Sequence, residues 1–463
     1  MTTPASIDTL IKVLIERIDN LEAYVNRLEI ENRGLKTKVN QLEGRLAGYE
    51  NPKNSKNSSK PPSSDFPKLP KTQSLRKSSG KKPGGQFGHD GTTLKMVSNP
   101  DTVETHCPSY CTCCGEDLST IPAIFIGKRQ VIDIPPIVPV VTEHQVFNKC
   151  CKCGQLNLSS FPTGIGAPVS YGENVQALTA YLSVRQYLPV KRLAELLSNL
   201  FGLSVSTGGV DYILTKMKAK ASVAYESIRQ NVLKNKVIGA DETGVSINGK
   251  NRWAWTFQHN KATFIEVHKN RGYNAIKDIM PEGLRNNILV TDCWSSYFKT
   301  DAAKHQLCTA HLLRELTHFE EKYQNETWAN RVSQLITKAL DLRRDNKETK
   351  DNVEEILHSF SELIAEPLNK DLNDMVAFQK RMVKYSDHLF NFLLDKDIPP
   401  DNNGSERTIR NFKVKQKISG FFKSDAGAEI YATIRSVIDT AVKNNQNPFE
   451  IIRLIAQCKV VTE

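Results

Sequence analysis

The 463-residue chain predicts a multidomain α/β protein, and three observations carry that reading. An unbroken heptad register opens the chain and predicts a coiled coil over residues 1–50. Seven of the ten cysteines fall between Cys107 and Cys153, which predicts a small zinc-binding domain over 101–165. Further on, helical periodicity over 166–235 gives way to short apolar strands and then to strand and helix in alternation. That order predicts a mixed sheet covered by helices.

Composition narrows the function classes. Hydrophobic residues make up 39% and charged residues 24% of the chain, with a net charge of +11 and a pI near 9.0. The most apolar stretch, VIDIPPIVPVV, is cut by Pro135, Pro136 and Pro139 and falls short of the roughly 18 residues a membrane span needs. The opening MTTPASIDTL lacks the basic-then-apolar pattern of a signal peptide, so a cytoplasmic protein with reduced thiols is expected.

In the first element, Leu14, Leu21, Leu28, Leu35 and Leu42 recur at every seventh position. Ile11, Ile18, Val25, Asn32 and Val39 stand three places before them, and Leu46 follows. Leu at d with β-branched residues at a favours two strands, and a single polar a residue such as Asn32 fixes a parallel register. The g-to-e pairs Arg17 to Glu22, Glu31 to Lys36 and Lys38 to Glu43 are opposite in sign. A parallel homodimer through residues 7–48 is predicted.

Residues 51–100 hold nine Lys and one Arg against Asp65 and Asp90, so +8 of the whole +11 lies in this Ser-, Pro- and Gly-rich stretch. Such a segment has too little to bury to offset its ordering entropy and reads as a basic flexible linker. Its charge suits a polyanion, nucleic acid first, through counterion release.

Two knuckles follow, Cys111 with Cys114 before Gly115 and Cys150 with Cys153 before Gly154. Four thiolates close a tetrahedral structural Zn2+ site, and the glycine lets the backbone turn so that amides face the sulfurs. The 35 residues between knuckles exceed the usual spacing of about 15–20. The stretch IFIGKRQVIDIPPIVPVVTEHQVF is expected to form a ribbon joining them. Cys107, Cys113 and Cys151 are left over by the spacing.

Within 166–235, LAELLSNLFG ends at Gly202, and Ser206 is placed to cap a second helix carrying Val210, Ile213, Leu214 and Met217. This is a helix-turn-helix pattern, found both in DNA readers and in plain cores. VIGAD then reads as a strand ending in Asp241, with Gly244 and NGK turn-like. RWAWTFQ and ATFIEVH complete a three-strand meander, NNILVTD is a strand ending in Asp292, and HQLC is a fifth. IPPDNNGSERTIRNFK places Glu406 in the first turn of a helix, with Arg407, Arg410 and Lys413 near it. Acidic residues at neighbouring strand ends can hold the paired divalent ions that phosphoryl transfer uses. Taken one at a time they have plainer readings: Asp292 as a helix cap, and Asn403 with Glu406 as a capping box. Glu242 adjoins Asp241, but successive strand side chains face opposite ways, so only one of them faces the metals.

Together, NSSKPPSSD, KKPGGQFGHDGTT, the two knuckles, ADETGV, TDCWSSY, QLCTAHLLREL and DNNGSERTIRNF resemble, in order, the segments of bacterial insertion-sequence transposases of family sixty-six, of the DDE type. The resemblance covers most of the chain. It implies an RNase H-like catalytic core split between 236–308 and 399–463, with an α-helical insertion over 309–398. It also makes Asp241, Asp292 and Glu406 the catalytic triad and the ligands of two Mg2+ or Mn2+ ions. The implied partners are terminal inverted repeats, target DNA and accessory proteins of the same element, placing the chain at the nucleoid. Cys308 and His311 resemble a C-x-x-H pair of several DDE transposases, with a structural role implied. Two other readings stand beside this one, an inactive DNA-binding regulator and an RNase H-like structure-specific nuclease.

Overall fold

A computed structural model of the chain describes residues 7–50, 88, 94–162 and 164–459. Most of the basic linker lies outside the described residues. The first element, α1 (Ile7–Glu50), is a single 44-residue helix. Leu14, Ile18, Leu21, Val25, Leu35, Val39 and Leu42 all stand about half exposed or more on it. An apolar stripe of that length, open to solvent, is the surface a second helix would cover.

The cysteine-rich segment is locally ordered around its two glycine turns. Gly115 and Gly154 take φ of 80° and 86°, the left-handed conformation that glycine adopts without strain. Among the described residues this segment has one strand pair, β1 (Lys149–Cys150) with β2 (Leu156–Asn157), antiparallel, and an isolated antiparallel bridge between Tyr110 and Asp117. The expected ribbon between the knuckles is not formed: residues 121–148 carry no strand assignment, and Ile124, Phe125, Ile126, Val131, Val140 and Val141 are exposed. Pro135, Pro136 and Pro139 remove three of the backbone donors a ribbon would use.

Three helices follow: α2 (Glu173–Val184), α3 (Val190–Phe201) and α4 (Thr207–Lys234). As the sequence predicts, α3 ends at Gly202 in the left-handed conformation, and the Ser206 side chain caps α4 by accepting from the Gly209 amide at 3.0 Å. Val210, Ile213, Leu214 and Met217 are buried. They face a core shared with the sheet rather than a separate one.

Five strands form the central sheet: β3 (Val237–Ile247), β4 (Lys250–Gln258), β5 (Thr263–His268), β6 (Leu284–Thr291) and β7 (Ala302–Leu307), with α5 (Tyr273–Ile279) between β5 and β6. Their spatial order is β5-β4-β3-β6-β7. The meander β3–β4–β5 is antiparallel, and β6 and β7 run parallel to β3. In one respect the sequence reading needs correction: β3 does not end at Asp241 but runs on to Ile247, with Gly244 inside it opposite Trp253. The turn is Asn248-Gly249, both at positive φ, the two-residue hairpin such an Asn-Gly pair favours.

The chain then gives α6 (Thr309–Lys322), α7 (Trp328–Arg344), α8 (Lys350–Ala365), α9 (Asn373–Lys384) and α10 (Asn391–Leu394). These gather Trp328, Phe360, Phe378 and Phe392 into a second core that reaches the sheet through Val237, Ile288, Val290 and Leu307. Finally α11 (Asn403–Ser419), α12 (Asp425–Lys443) and α13 (Pro448–Gln457) return to the first core. Among the described residues no helix is long and apolar enough to cross a membrane.

Candidate active site

The site grows out of the parallel half of the sheet. Gly239 of β3 pairs with Val290 of β6, and Asp241 and Asp292 each stand two residues further on. Equal offsets from one paired position, with a side-chain period of two, place both carboxylates at the same height on the same face. Thr291 passes the chain on to the next strand, its carbonyl accepting from the Cys308 amide at 2.8 Å.

Glu406 arrives from another part of the chain, and small residues let it. The Asn402 side chain donates to the Ala240 carbonyl at 2.7 Å and accepts from Ser405 Oγ at 2.6 Å. A Cβ added at Gly239 would lie 2.5 Å from Asn402 Oδ1, and one at Gly404 would lie 2.6 Å from Gln258 Nε2. The first turn of α11 therefore sits directly on β3 because positions 239 and 404 lack side chains. Asn402, rather than Asn403, holds the cap position, so no Asn403–Glu406 capping box forms and the Glu406 carboxylate is left for other partners.

Electrostatics follow from this packing. Burial raises Asp241 well above the usual carboxylate range, and the charges of Glu242, Asp292 and Glu406 add to the shift. Like charges confined in low dielectric repel, and a divalent cation removes the repulsion. Asp241, Asp292 and Glu406 offer only oxygen, the donor type that a hard ion such as Mg2+ or Mn2+ takes, and among the described residues their carboxylates are not drawn within 4.8 Å of one another. Asp292 keeps its orientation through an Oδ1 that accepts from the Trp294 amide at 2.9 Å, a turn contact rather than a helix cap.

Glu242, next along the strand from Asp241, has its own partners, although the Asp292 charge acts on it as well. Arg271 pairs with it at 2.7 Å and Tyr297 donates to it. Burial pushes Glu242 up to about 7, with the Tyr297 and Arg271 contacts opposing. The guanidinium of Arg271 lies 4.7 Å from the Trp253 ring and 4.3 Å from the Trp294 ring, so Glu242 is held in an aromatic-walled ion pair.

Around Glu406 the structure adds groups that sequence patterns alone do not single out. Arg314 Nη2 lies 3.3 Å from both of its oxygens, and His311 Nε2 lies 3.7 Å from Oε1. The Cys308 sulfur, a His311 ring nitrogen and a Glu406 oxygen all lie within 4.8 Å of one another. Arg314 carries no local signal beyond its place one turn past His311. Arg407 and Arg410 are exposed on α11, but Lys413 folds back and donates to the Gly244 carbonyl at 2.6 Å, so it is not free to meet a phosphate.

In the cysteine segment, Cys111 is drawn to Cys114: amides of Cys114 and Cys113 act on its sulfur and hold the thiol below its ordinary range. At the second knuckle the sulfur so served is Cys151, by Cys153, rather than Cys150. Among the described residues the four cysteines expected to bind zinc are not drawn into one cluster.

Comparison with known families decides the kinship. The family model described as the transposase IS66 family matches residues 168–430, more than half of the chain. The chain belongs to this family. The zinc-finger binding domain of transposase IS66 matches residues 108–154, which supports structural zinc in this member of the family. A family of unknown function matches residues 10–95, across α1 and the basic linker. Among the curated proteins nothing matches the chain. In this IS66-family transposase, the 168–430 match takes in Asp241, Asp292 and Glu406.

Proposed function

We propose that the chain is a DDE transposase that binds the terminal repeats of its insertion sequence, cleaves DNA at the element's ends and joins the freed ends to target DNA. The observations that carry this are the family match over 168–430, the equal offsets of Asp241 and Asp292 from the Gly239–Val290 pair, and the bond from Asn402 that sets the helix start bearing Glu406 against β3. The sheet order, with an antiparallel meander followed by two parallel strands, supports an RNase H-like core. Five helices between Asp292 and Glu406 support the helical insertion.

Two divalent ions at the trio would activate the attacking oxygen and stabilise the leaving one. Asp241, Asp292 and Glu406 would hold these ions. No side chain would bond covalently to DNA. Arg314 neutralises Glu406 until cations arrive, and Arg407 and Arg410 are free to meet the phosphate backbone on the same helix. The exposed heptad stripe of α1 supports a parallel homodimer that would hold two element ends together. The linker, the zinc module with Cys111, Cys114, Cys150 and Cys153, and the α3–α4 pair would grip the repeats.

The test is a cleavage and joining assay on DNA carrying the ends that flank the gene, in Mg2+ or Mn2+, with Asp241→Ala beside the wild type. The expected result is metal-dependent nicked and joined product from wild type alone, with DNA binding retained by the variant. Cleavage without joining would make the chain a nuclease, and specific binding without cleavage a regulator.

A further inference from the structure

We propose that Cys308, His311 and Glu406 form a binding site for a thiophilic divalent cation, Zn2+ foremost, whose occupation withdraws Glu406 from the all-carboxylate trio. The binding half stands on geometry alone. The regulatory half rests on the transposase reading.

The three donors come from two helix starts that the fold brings together. Cys308 is the residue before α6, His311 lies in its first turn, and Glu406 lies in the first turn of α11. Thr309 ties the two starts together, its amide and hydroxyl both donating to the Pro400 carbonyl, at 3.0 and 2.9 Å. One sulfur, one imidazole nitrogen and one carboxylate oxygen are thereby held within 4.8 Å of one another. Tetrahedral zinc with bonds of 2.0–2.3 Å needs separations of about 3.5 Å, within reach of side-chain rotation.

The donor chemistry separates this set from the carboxylate trio. Mg2+ takes oxygen ligands, whereas thiolate and imidazole select Zn2+ and its soft neighbours. Two details beyond proximity mark the site. The Asn402 amide points at the Cys308 sulfur, 3.2 Å away, the kind of support that metal-bound thiolates receive. His311 turns Nε2 toward Glu406, 3.7 Å away, and its Nδ1 is buried with no hydrogen-bond partner among the described residues. Such an atom costs free energy unless something binds it or the ring turns to present it. Three protein ligands with the His311 and Glu406 side chains still 15% and 16% exposed leave a fourth position for water. The thiol loses its proton to solvent on binding, and the cation takes the place that Arg314 holds beside Glu406.

Co2+ is the probe, because a thiolate bound to it gives a near-ultraviolet charge-transfer band. Full-length protein with its zinc module loaded is titrated with Co2+, with no DNA present. The expected result is a single-thiolate band that saturates at one equivalent per chain, lost in Cys308→Ser and weakened about tenfold or more in affinity in His311→Ala. Cys308→Ser retains an acceptor for the Asn402 amide, and if circular dichroism shows it unfolded, His311→Ala alone carries the test. No band beyond that of the zinc module, or one of equal strength in a folded Cys308→Ser protein, overturns the site. The regulatory half is read separately: Zn2+ should inhibit Mn2+-dependent cleavage in wild type, with the half-inhibiting concentration raised tenfold or more in His311→Ala. An equal value in both proteins overturns that half and leaves the binding result standing.

Discussion

Asn402 donates to the carbonyl of Ala240 at 2.7 Å, which fixes the start of α11 against the residue that precedes Asp241. Through that bond the helix start that carries Glu406, distant in sequence, is set against the strand that carries Asp241. The contact is possible only because Gly239 and Gly404 leave room for it and for Gln258, whose Oε1 accepts from Lys443 Nζ at 2.6 Å.

Gly404→Ala should therefore act through Gln258. An added methyl 2.6 Å from Gln258 Nε2 forces that side chain out, at a cost of about 1–3 kcal/mol. Urea unfolding would read the loss, and metal-dependent cleavage should fall with it. The double variant Gly404→Ala with Gln258→Ala should recover part of both. Strict additivity of the two substitutions would show that they do not meet.

Asp241→Asn should stabilise the protein without metal. An acid whose folded-state pKa is raised binds its proton in the folded state where the unfolded chain has lost it. Stability therefore falls as pH rises from the ordinary carboxylate value of about 4 through the raised one. In chelator at pH 8 the Asn variant should melt higher than wild type, and the difference should vanish near pH 4. Mg2+ should raise the melting temperature of wild type and leave the variant unmoved. Equal melting of the two proteins at pH 8 would remove the buried charge from the account.

Exposed basic groups on α11 should meet DNA unequally. Arg407→Ala and Arg410→Ala should each weaken binding to any sequence and lower the salt slope by about 1. Lys413→Ala should leave the slope unchanged, since its ammonium is committed to Gly244. A slope lowered equally by all three substitutions would mean that Lys413 swings out.

Zinc content should separate the crowded cysteines. Cys111 and Cys114 show the amide-to-sulfur geometry of a knuckle, and Cys150 with Cys153 repeats their spacing and following glycine. On that parity Cys150→Ser should lose zinc and Cys151→Ser should keep it. The reverse would make Cys151, whose sulfur already faces the Cys153 amide, the fourth ligand.

Much of this was legible in the residues. Gly202 and Ser206 marked a helix end and a helix start that the structure reproduces, because both act through local backbone chemistry. Asp241 and Asp292 stand out as acids that follow apolar strand runs, although β3 continues past Asp241, and their catalytic role rests on the resemblance. The length of β3 was missed because a glycine at 244 looks like a turn, while its pairing with Trp253 depends on the neighbouring strand. Glu406 rested on resemblance, since nothing near it in sequence reveals that Asn402 will bond to β3. Arg314, Gln258 and Lys443 were invisible for the same reason: each acts across more than ninety residues of chain. The resemblance implies a structural role for His311, and only the fold brings its ring to Glu406.

The most direct test of the central claim compares wild type and Glu406→Gln on DNA carrying the element's ends in Mg2+, with joined strand-transfer product as the readout. Losing a carboxylate that stabilises transition-state charge costs several kcal/mol, about a thousandfold in rate. Joined product from wild type, reduced about that much in the variant while end binding persists, is the predicted result. Equal joining by both proteins would contradict it and move the chemistry away from Asp241, Asp292 and Glu406.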